Sequence, residues 1–283
     1  MKLRRAVPGD DAPVEGFELI DAGDGRRLER FGDHVIDRPA PGAWFDRRSP
    51  DRWSDADLRF ERDGGWSGDG LPLARERWRI QVRDLSMELR PTDAGQVGLF
   101  PEQVAMVPWL VDHIAARPDQ PGVLHLFAYT GLTTLAMARA GAAVAHVDAA
   151  RSSVAWARRN AAHNGLQDHP IRWLVDDAGA FVAREIRRDR RYDGVVLDPP
   201  TYGHGSSGKA WRLDDDLDPL LVGIRRLLAP DGFVLLTAHA ESIDPEALGG
   251  YLGPGSEVGE LALDATSGAR LRLGAFARID GRA

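Results

Sequence analysis

Val123 to Leu166 reads VLHLFAYTGLTTLAMARAGAAVAHVDAARSSVAWARRNAAHNGL. Its first seven residues, VLHLFAY (123–129), form a short apolar run suited to a buried strand, and Gly131 to Ala140 then follows a helical period. AVAHVDA (143–149) repeats the strand signal, and Arg151 to Asn164 the helical one, with Gly165 placed where a helix ends. Apolar strands alternating with amphipathic helices build a parallel α/β sheet, because each crossover lays a helix over a sheet face.

The pattern continues on both sides. Downstream, strands are expected at 171–178, 192–200 and 232–239, with helices at 181–188, 214–228 and 245–251. VGELALDA and ARLRLGAFARI, joined through Thr266-Ser267-Gly268, form a terminal β-hairpin. Upstream, Pro101 to Ala116 is a helix with Pro101 in its first turn. Residues 1–95 differ: short alternating segments such as Trp78–Val82 and Met87–Arg90 lie between turn signals, predicting half-buried antiparallel strands. Two domains are expected, a β-rich one over 1–95 and an α/β one over 96–283.

Composition narrows the function. The 283 residues are 43% hydrophobic and 28% charged, which suits a globular chain. Lys and Arg (36) against Asp and Glu (43) give a net charge of −7, unlike a nonspecific nucleic-acid binder. Without cysteine there is no disulfide, thiolate metal site or cysteine nucleophile. No run of about 18 apolar residues is present, so no membrane span is expected. MKLRRAVPGDDAPVEG lacks the apolar stretch of a signal peptide, and the expected compartment is the cytoplasm.

Ligands of open parallel sheets bind beyond the carboxyl ends of the strands, and four polar groups fall there. Phe127-Ala128-Tyr129-Thr130-Gly131 turns the first strand into its helix without the G-x-G-x-x-G phosphate pattern. Asp148, 17 residues after Gly131, ends the second strand, where an acid accepts ribose hydroxyls; it also suits a helix cap. Asp176-Asp177-Ala178 ends the third and offers a carboxylate to an adenine amine or another cap. Asp198-Pro199-Pro200-Thr201-Tyr202 ends the fourth, with two prolines stiffening the turn and Tyr202 offering a stacking face. His239, at the end of the fifth, suits a base or a structural histidine bonded to backbone.

The stretch from Leu124 to Leu166, with RWLVDDAGAFVAREIRRDRRYDGVVLDPPTYGHG and Gly98-Leu99-Phe100-Pro101-Glu102-Gln103, resembles class I S-adenosylmethionine (SAM)-dependent methyltransferases over about residues 95–240. The subgroup it is most similar to is that of the large-subunit ribosomal RNA methyltransferase I. The resemblance implies a Rossmann-like fold with a mostly parallel seven-stranded sheet and a C-terminal β-hairpin, beside a small antiparallel N-terminal domain that selects substrate. It implies SAM as cofactor, with Tyr129, Thr130 and Gly131 around the methionine part, Asp148 at the ribose, Asp177 and Ala178 at the adenine, and Phe127, Ala128 and Ala149 also binding the cofactor. Asp198 lies near the sulfonium, Phe100 and Gln103 close the pocket, and Asp198, Pro199 and Tyr202 serve catalysis.

The chain departs from the family where members that methylate cytosine carbon 5 use a cysteine, so a covalent cysteine adduct is excluded. An exocyclic base amine suits Asp198 and the Pro199 carbonyl as acceptors, although the aromatic falls one residue late after Pro-Pro. The expected function is RNA methylation of the rRNA type, in rRNA processing. Protein or small-molecule methylation, a non-catalytic SAM or RNA module, and an NAD-dependent oxidoreductase are the alternatives. Arg75, Arg77, Arg79 and Arg83 are expected to share a strand face toward phosphate, whereas Arg187–Arg191 is read as a solvated helix end. Gly203–Lys209 is read as a substrate lid or a surface loop, and Trp211 as packed against a helix. Asp214-Asp215-Asp216 starts a helix, and no metal is expected.

Overall fold

The computed structural model describes residues 14–204, 210–239 and 243–282. The opening stretch 1–13 and most of the glycine-serine loop, 205–209 with Lys209, lie outside the described residues. Contacts divide the chain into two units, one with Ala6–Ala105 and Leu261–Leu273 and the other with Met106–Glu260 and Gly274–Ala283.

The first unit carries β1 (Phe17–Gly23), β2 (Arg26–Phe31), β3 (His34–Pro39), β4 (Leu58–Glu61) and β5 (Gly65–Ser67) in one sheet of that order. A short helix α1 (Leu71–Arg75) and the hairpin β6 (Trp78–Val82) with β7 (Leu85–Leu89) follow. The strands are antiparallel as alternation predicts, except that β3 and β4 pair in parallel. The 18 residues between those two strands, including a 3₁₀ turn over Pro50–Asp55, let the chain return to the same end of the sheet. The expected arginine face also changes. Arg75 ends α1, Arg77 and Arg83 have φ of 71° and 57°, and only Arg79 lies within a strand. Left-handed φ at the two ends of β6 breaks the alternation that a continuous strand would keep. Beneath the sheet, buried Glu29 bridges Arg38 at 2.5 Å and Arg27 at 3.3 Å.

The second unit starts with α2 (Val107–Ala115). The predicted helix over 101–116 is a 3₁₀ turn over Pro101–Met106 and then α2, with Pro108, which has no N–H to donate, in the first turn of α2. The alternation then runs β8 (Gly122–Leu126), α3 (Leu132–Arg139), β9 (Ala143–Asp148), α4 (Arg151–His163), β10 (Ile171–Val175), α5 (Ala178–Arg187) and β11 (Tyr192–Leu197). A small hairpin of β12 (Tyr202–His204) and β13 (Ala210–Arg212) precedes α6 (Leu213–Leu227), β14 (Leu228–Ala238), α7 (Pro245–Leu252), β15 (Glu257–Asp264) and β16 (Arg270–Asp280). Gly165 follows α4 at φ 68°, the left-handed position that ends a helix.

The seven strands lie in the order β10-β9-β8-β11-β14-β16-β15. β8 to β11 and β14 are parallel, and β16 runs antiparallel to β14. After β8 the chain winds outward through β9 and β10, then returns to the other side of β8 with β11. The strand order therefore reverses between β8 and β11, which is where open sheets of this kind bind ligands. One face buries Leu124, Leu126, Val195, Leu197 and Leu236 against α5 and α6. Along α5, Ala178, Phe181, Val182 and Glu185 are buried at the three- and four-residue spacing of one helix face. On the opposite face, the Trp109 ring of α2 meets Phe233 of β14 edge-on at 5.6 Å.

The tip of the terminal hairpin belongs to the first unit. Leu263, Ala265, Ala269 and Leu271 pack with Leu19, Ala22, Ala40 and Ala43. The amides of Thr266 and Ser267 donate to the carbonyls of Leu19 and Ile20, at 2.9 and 3.1 Å. The Asp21 carboxylate accepts from the Ser267 hydroxyl at 2.6 Å and the Trp53 indole at 2.9 Å.

Candidate active site

Register decides what meets at the sheet edge. Leu126 of β8 pairs with Val147 of β9 and Leu197 of β11, and Leu197 pairs with Leu236 of β14. The next residue on each strand is Phe127, Asp148, Asp198 and Thr237, so these four emerge at one level.

The expected first strand ends three residues early because Phe127 and Tyr129 take φ of 56° and 48°. Left-handed residues other than glycine cost on the order of 1–3 kcal/mol each and persist where neighbours hold them. Here the neighbours are visible. The Tyr129 amide donates to Asp148 Oδ2 at 2.8 Å, and the Ala150 amide to Asp148 Oδ1 at 2.8 Å. Buried Asn160 of α4 donates its side-chain amide to the Thr130 carbonyl at 2.9 Å. Gly131 closes the turn at φ 90°, and a Cβ there would stand 3.0 Å from that of Ala157.

Asp148 thus fastens the first loop to the second strand end. Helix α4 is capped at Ala150 instead, with no side-chain cap. Burial pushes the Asp148 carboxyl up, and the two amides only partly offset this. Two bonds leave lone pairs on a carboxylate for further donors, such as a pair of hydroxyls.

At the end of β10, Asp177 accepts from the Ala180 amide at 2.9 Å and caps α5. This extends α5 three residues ahead of its predicted start, and Ala178 becomes its first residue. Asp176 pairs with Arg184. Beside Asp177 a cleft of about 320 Å³ opens between α5 and α6, floored by Gly179, Ala183 and Gly223 and flanked by Trp211.

Asp198 sits where β11 ends. Thr237 Oγ1 donates to its Oδ1 at 2.7 Å, and His239 Nδ1 lies 3.0 Å from the same oxygen. Burial works against the charged carboxylate, but the charge and hydrogen bond of His239, the Thr237 hydroxyl and the charge of His125 outweigh it, so Asp198 stays below the ordinary aspartate range. His239 therefore bonds to a carboxylate. Pro199 and Pro200 end the strand, and Tyr202, 54% exposed, opens β12. The Trp211 indole donates to the Pro200 carbonyl at 2.7 Å, and its ring lies 5.0 Å from that of Phe127, partly buried on the core. Trp211 ties the Pro-Pro turn to the first loop.

Phe100 and Gln103 lie in the first unit, where the Gln103 amide donates to the Phe100 carbonyl at 3.0 Å and Gln103 is buried. Arg188 pairs with Glu185 at the end of α5, and Asp216 accepts from the Arg212 amide in the first turn of α6.

Sequence reasoning passed over Asn160, Thr237 and a buried chain of three groups. His125 Nδ1 lies 2.7 Å from Thr134 Oγ1, which lies 2.9 Å from His146 Nδ1. Burial holds the His125 imidazole down to about 4 and His146 well below its ordinary value. The signal was present: His125 and His146 interrupt two apolar strands at paired positions.

Residues 49–252 match the family model described as S-adenosylmethionine-dependent methyltransferase. A SAM-dependent methyltransferase of known structure from Agrobacterium tumefaciens is 31% identical, with a TM-score of 0.89 over 99% of this chain and 96% of that one. The ribosomal RNA large subunit methyltransferase K/L of Magnetococcus marinus is 30% identical over 170 residues, 59% of this chain and 23% of that protein. Its counterpart in Shewanella amazonensis is 30% identical over 249 residues, 78% of this chain and 34% of that protein. The chain thus spans about a quarter to a third of these curated relatives. The match sets the oxidoreductase alternative aside, and the chain belongs to the S-adenosylmethionine-dependent methyltransferases.

Proposed function

We propose that the chain methylates a base of RNA. The observation that carries this reading is the exposed Tyr202, four residues along the chain from Asp198, whose carboxylate Thr237 and His239 hold. An exposed aromatic four residues along the chain from a fixed carboxylate suits a base that is single-stranded or flipped out, stacked on one side and hydrogen-bonded on its edge. The names of the K/L relatives support the same substrate class. Residues 1–95 are assigned to substrate recognition.

The site suits SAM. The loop from Phe127 to Gly131 turns on its own backbone and lacks a pyrophosphate cradle, as a ligand without phosphate requires. Asp148, with Ala149, is assigned to the ribose hydroxyls because its carboxylate keeps acceptor capacity after holding two amides. Phe127, Ala128, Tyr129, Thr130 and Gly131 are assigned to the methionine part. Asp177 and Ala178 are assigned to the adenine, beside the cleft between α5 and α6. Asp198 is assigned to the reacting end of the cofactor. When bound, SAM supplies a methyl group already activated on a positive sulfur. The protein's part is then to place the acceptor in line and exclude water.

The test supplies SAM carrying a labelled methyl group with ribosomal RNA, total protein and a small-molecule extract in parallel. Label should enter RNA and disappear on ribonuclease digestion. Tyr202→Ala should reduce it by about 5- to 100-fold, the range of one base–aromatic stack. Label in protein or small molecules alone would overturn the reading.

A further inference from the structure

The pair on Asp198 divides the labour between its two oxygens. Thr237 Oγ1 and His239 Nδ1 both reach Oδ1, at 2.7 and 3.0 Å, and no described residue bonds Oδ2. We infer that Thr237 and His239 are positioning residues that occupy Oδ1 of Asp198 and leave Oδ2 to orient an N–H of the methyl acceptor. The inference deepens the proposed function and rests on it for the acceptor.

Three observations support it. The sheet register sets Asp198 level with Thr237, and His239 follows two residues later on the same strand face, one residue beyond β14. The contacts therefore follow from pairing of β11 with β14, not from a loose loop. An ionised carboxylate only accepts, so the hydrogens of both bonds come from Thr237 and His239, and His239 carries its proton on Nδ1. The titratable groups facing Asp198 are His239, beyond β14, and His125, on β8. Both favour the ionised form when protonated, and His125 is protonated only toward about pH 4.

That charge state decides the role. A carboxyl held below the aspartate range is a poor proton acceptor at neutral pH but a strong acceptor of hydrogen bonds. Asp198 therefore orients the N–H and stabilises the positive charge that develops on the nitrogen as its new bond to carbon forms. The carbon–sulfur bond breaks with its electron pair left on sulfur, and the nitrogen's proton leaves to water. The acceptor this selects is an amino or amide nitrogen that carries hydrogen. A bare ring nitrogen has no N–H to offer Oδ2.

The test does not depend on knowing the acceptor. Carboxyl carbon NMR of the full chain follows Asp198, assigned by the signal lost in Asp198→Asn. In His239→Ala the Asp198 carboxyl should titrate at higher pH than in the parent, and His239→Gln, which restores a donor, should bring it part of the way back. S-adenosylhomocysteine affinity should match the parent, while stability at neutral pH should fall in step with the raised titration. Thr237→Val removes the other donor and should also raise the titration, which keeps the test open if His239→Ala fails to fold. With a labelled acceptor, both variants should lower kcat by about tenfold or more while KM stays close to the parent's, as loss of a charge-assisted hydrogen bond implies. An Asp198 titration unmoved in both variants overturns the inference. Failure to bind S-adenosylhomocysteine in the parent would instead strike the functional reading beneath it.

Discussion

Acidification should unload stability through His125 and His146, and the size of the effect follows from their burial. His125 is 4% exposed and its imidazole is held down to about 4, against about 6.5 in an unfolded chain. Its folded-state value is depressed, so in the window between those values the unfolded chain binds a proton that the folded chain refuses. Stability contributed by the neutral buried ring is complete above about pH 6.5 and is lost as pH falls toward 4. Over that 2.5-unit gap the loss from His125 is about 3 kcal/mol at 1.36 kcal/mol per unit. His146 shifts in the same direction. Urea unfolding should be followed between pH 6.5 and 4.5 in the parent and in His125→Gln. The parent's stability should fall steeply, and the variant's slope should be shallower by close to one proton, about 1.4 kcal/mol per pH unit. Carboxylates that titrate in both proteins cancel in the difference. Equal slopes would refute the assignment of His125 as a ring kept neutral by burial.

Three further substitutions test the packing and the site. Gly131→Ala forces a side chain at φ 90° to within 3.0 Å of Ala157 and should cost about 1–3 kcal/mol in thermal unfolding while weakening S-adenosylhomocysteine binding. Gly194→Ala places a Cβ 2.1 Å from the Phe233 ring, and denaturant unfolding should show a loss of at least about 1–3 kcal/mol, partly recovered by Phe233→Leu in the same chain. Asp177→Ala removes the cap of α5 and should cost about 1 kcal/mol by the same measurement.

Much of this was legible in the chain. The alternation from Val123 onward announced a parallel sheet, because strands buried on both faces must be apolar throughout and their helices must show one apolar face. Gly165, Asp148 and Asp198 stood at strand or helix ends that local chemistry alone marks. What stayed hidden depends on pairing between distant residues. Thr237 reaches Asp198 only because Leu197 and Leu236 share a register. The parallel pairing of β3 with β4 needs a long return that no local alternation encodes. Arg77 and Arg83 look like strand positions until their left-handed φ is seen. The hairpin tip 261–273 joins the first unit across about 220–250 residues of sequence, through bonds such as Arg48 to the Gly268 carbonyl. No helix among the described residues is long and apolar enough to cross a membrane.

Asp148 is the residue on which the cofactor assignment turns, and calorimetric titration with S-adenosylhomocysteine measures it directly. The parent should bind one equivalent. Asp148→Asn keeps the size of the side chain but sets an amide N–H₂ where the carboxylate now accepts from Tyr129 or Ala150 and offers fewer lone pairs to a ribose. Affinity should fall by about two orders of magnitude, the worth of two charge-assisted bonds. Binding by the variant at the parent's affinity, with the fold intact, would contradict the account.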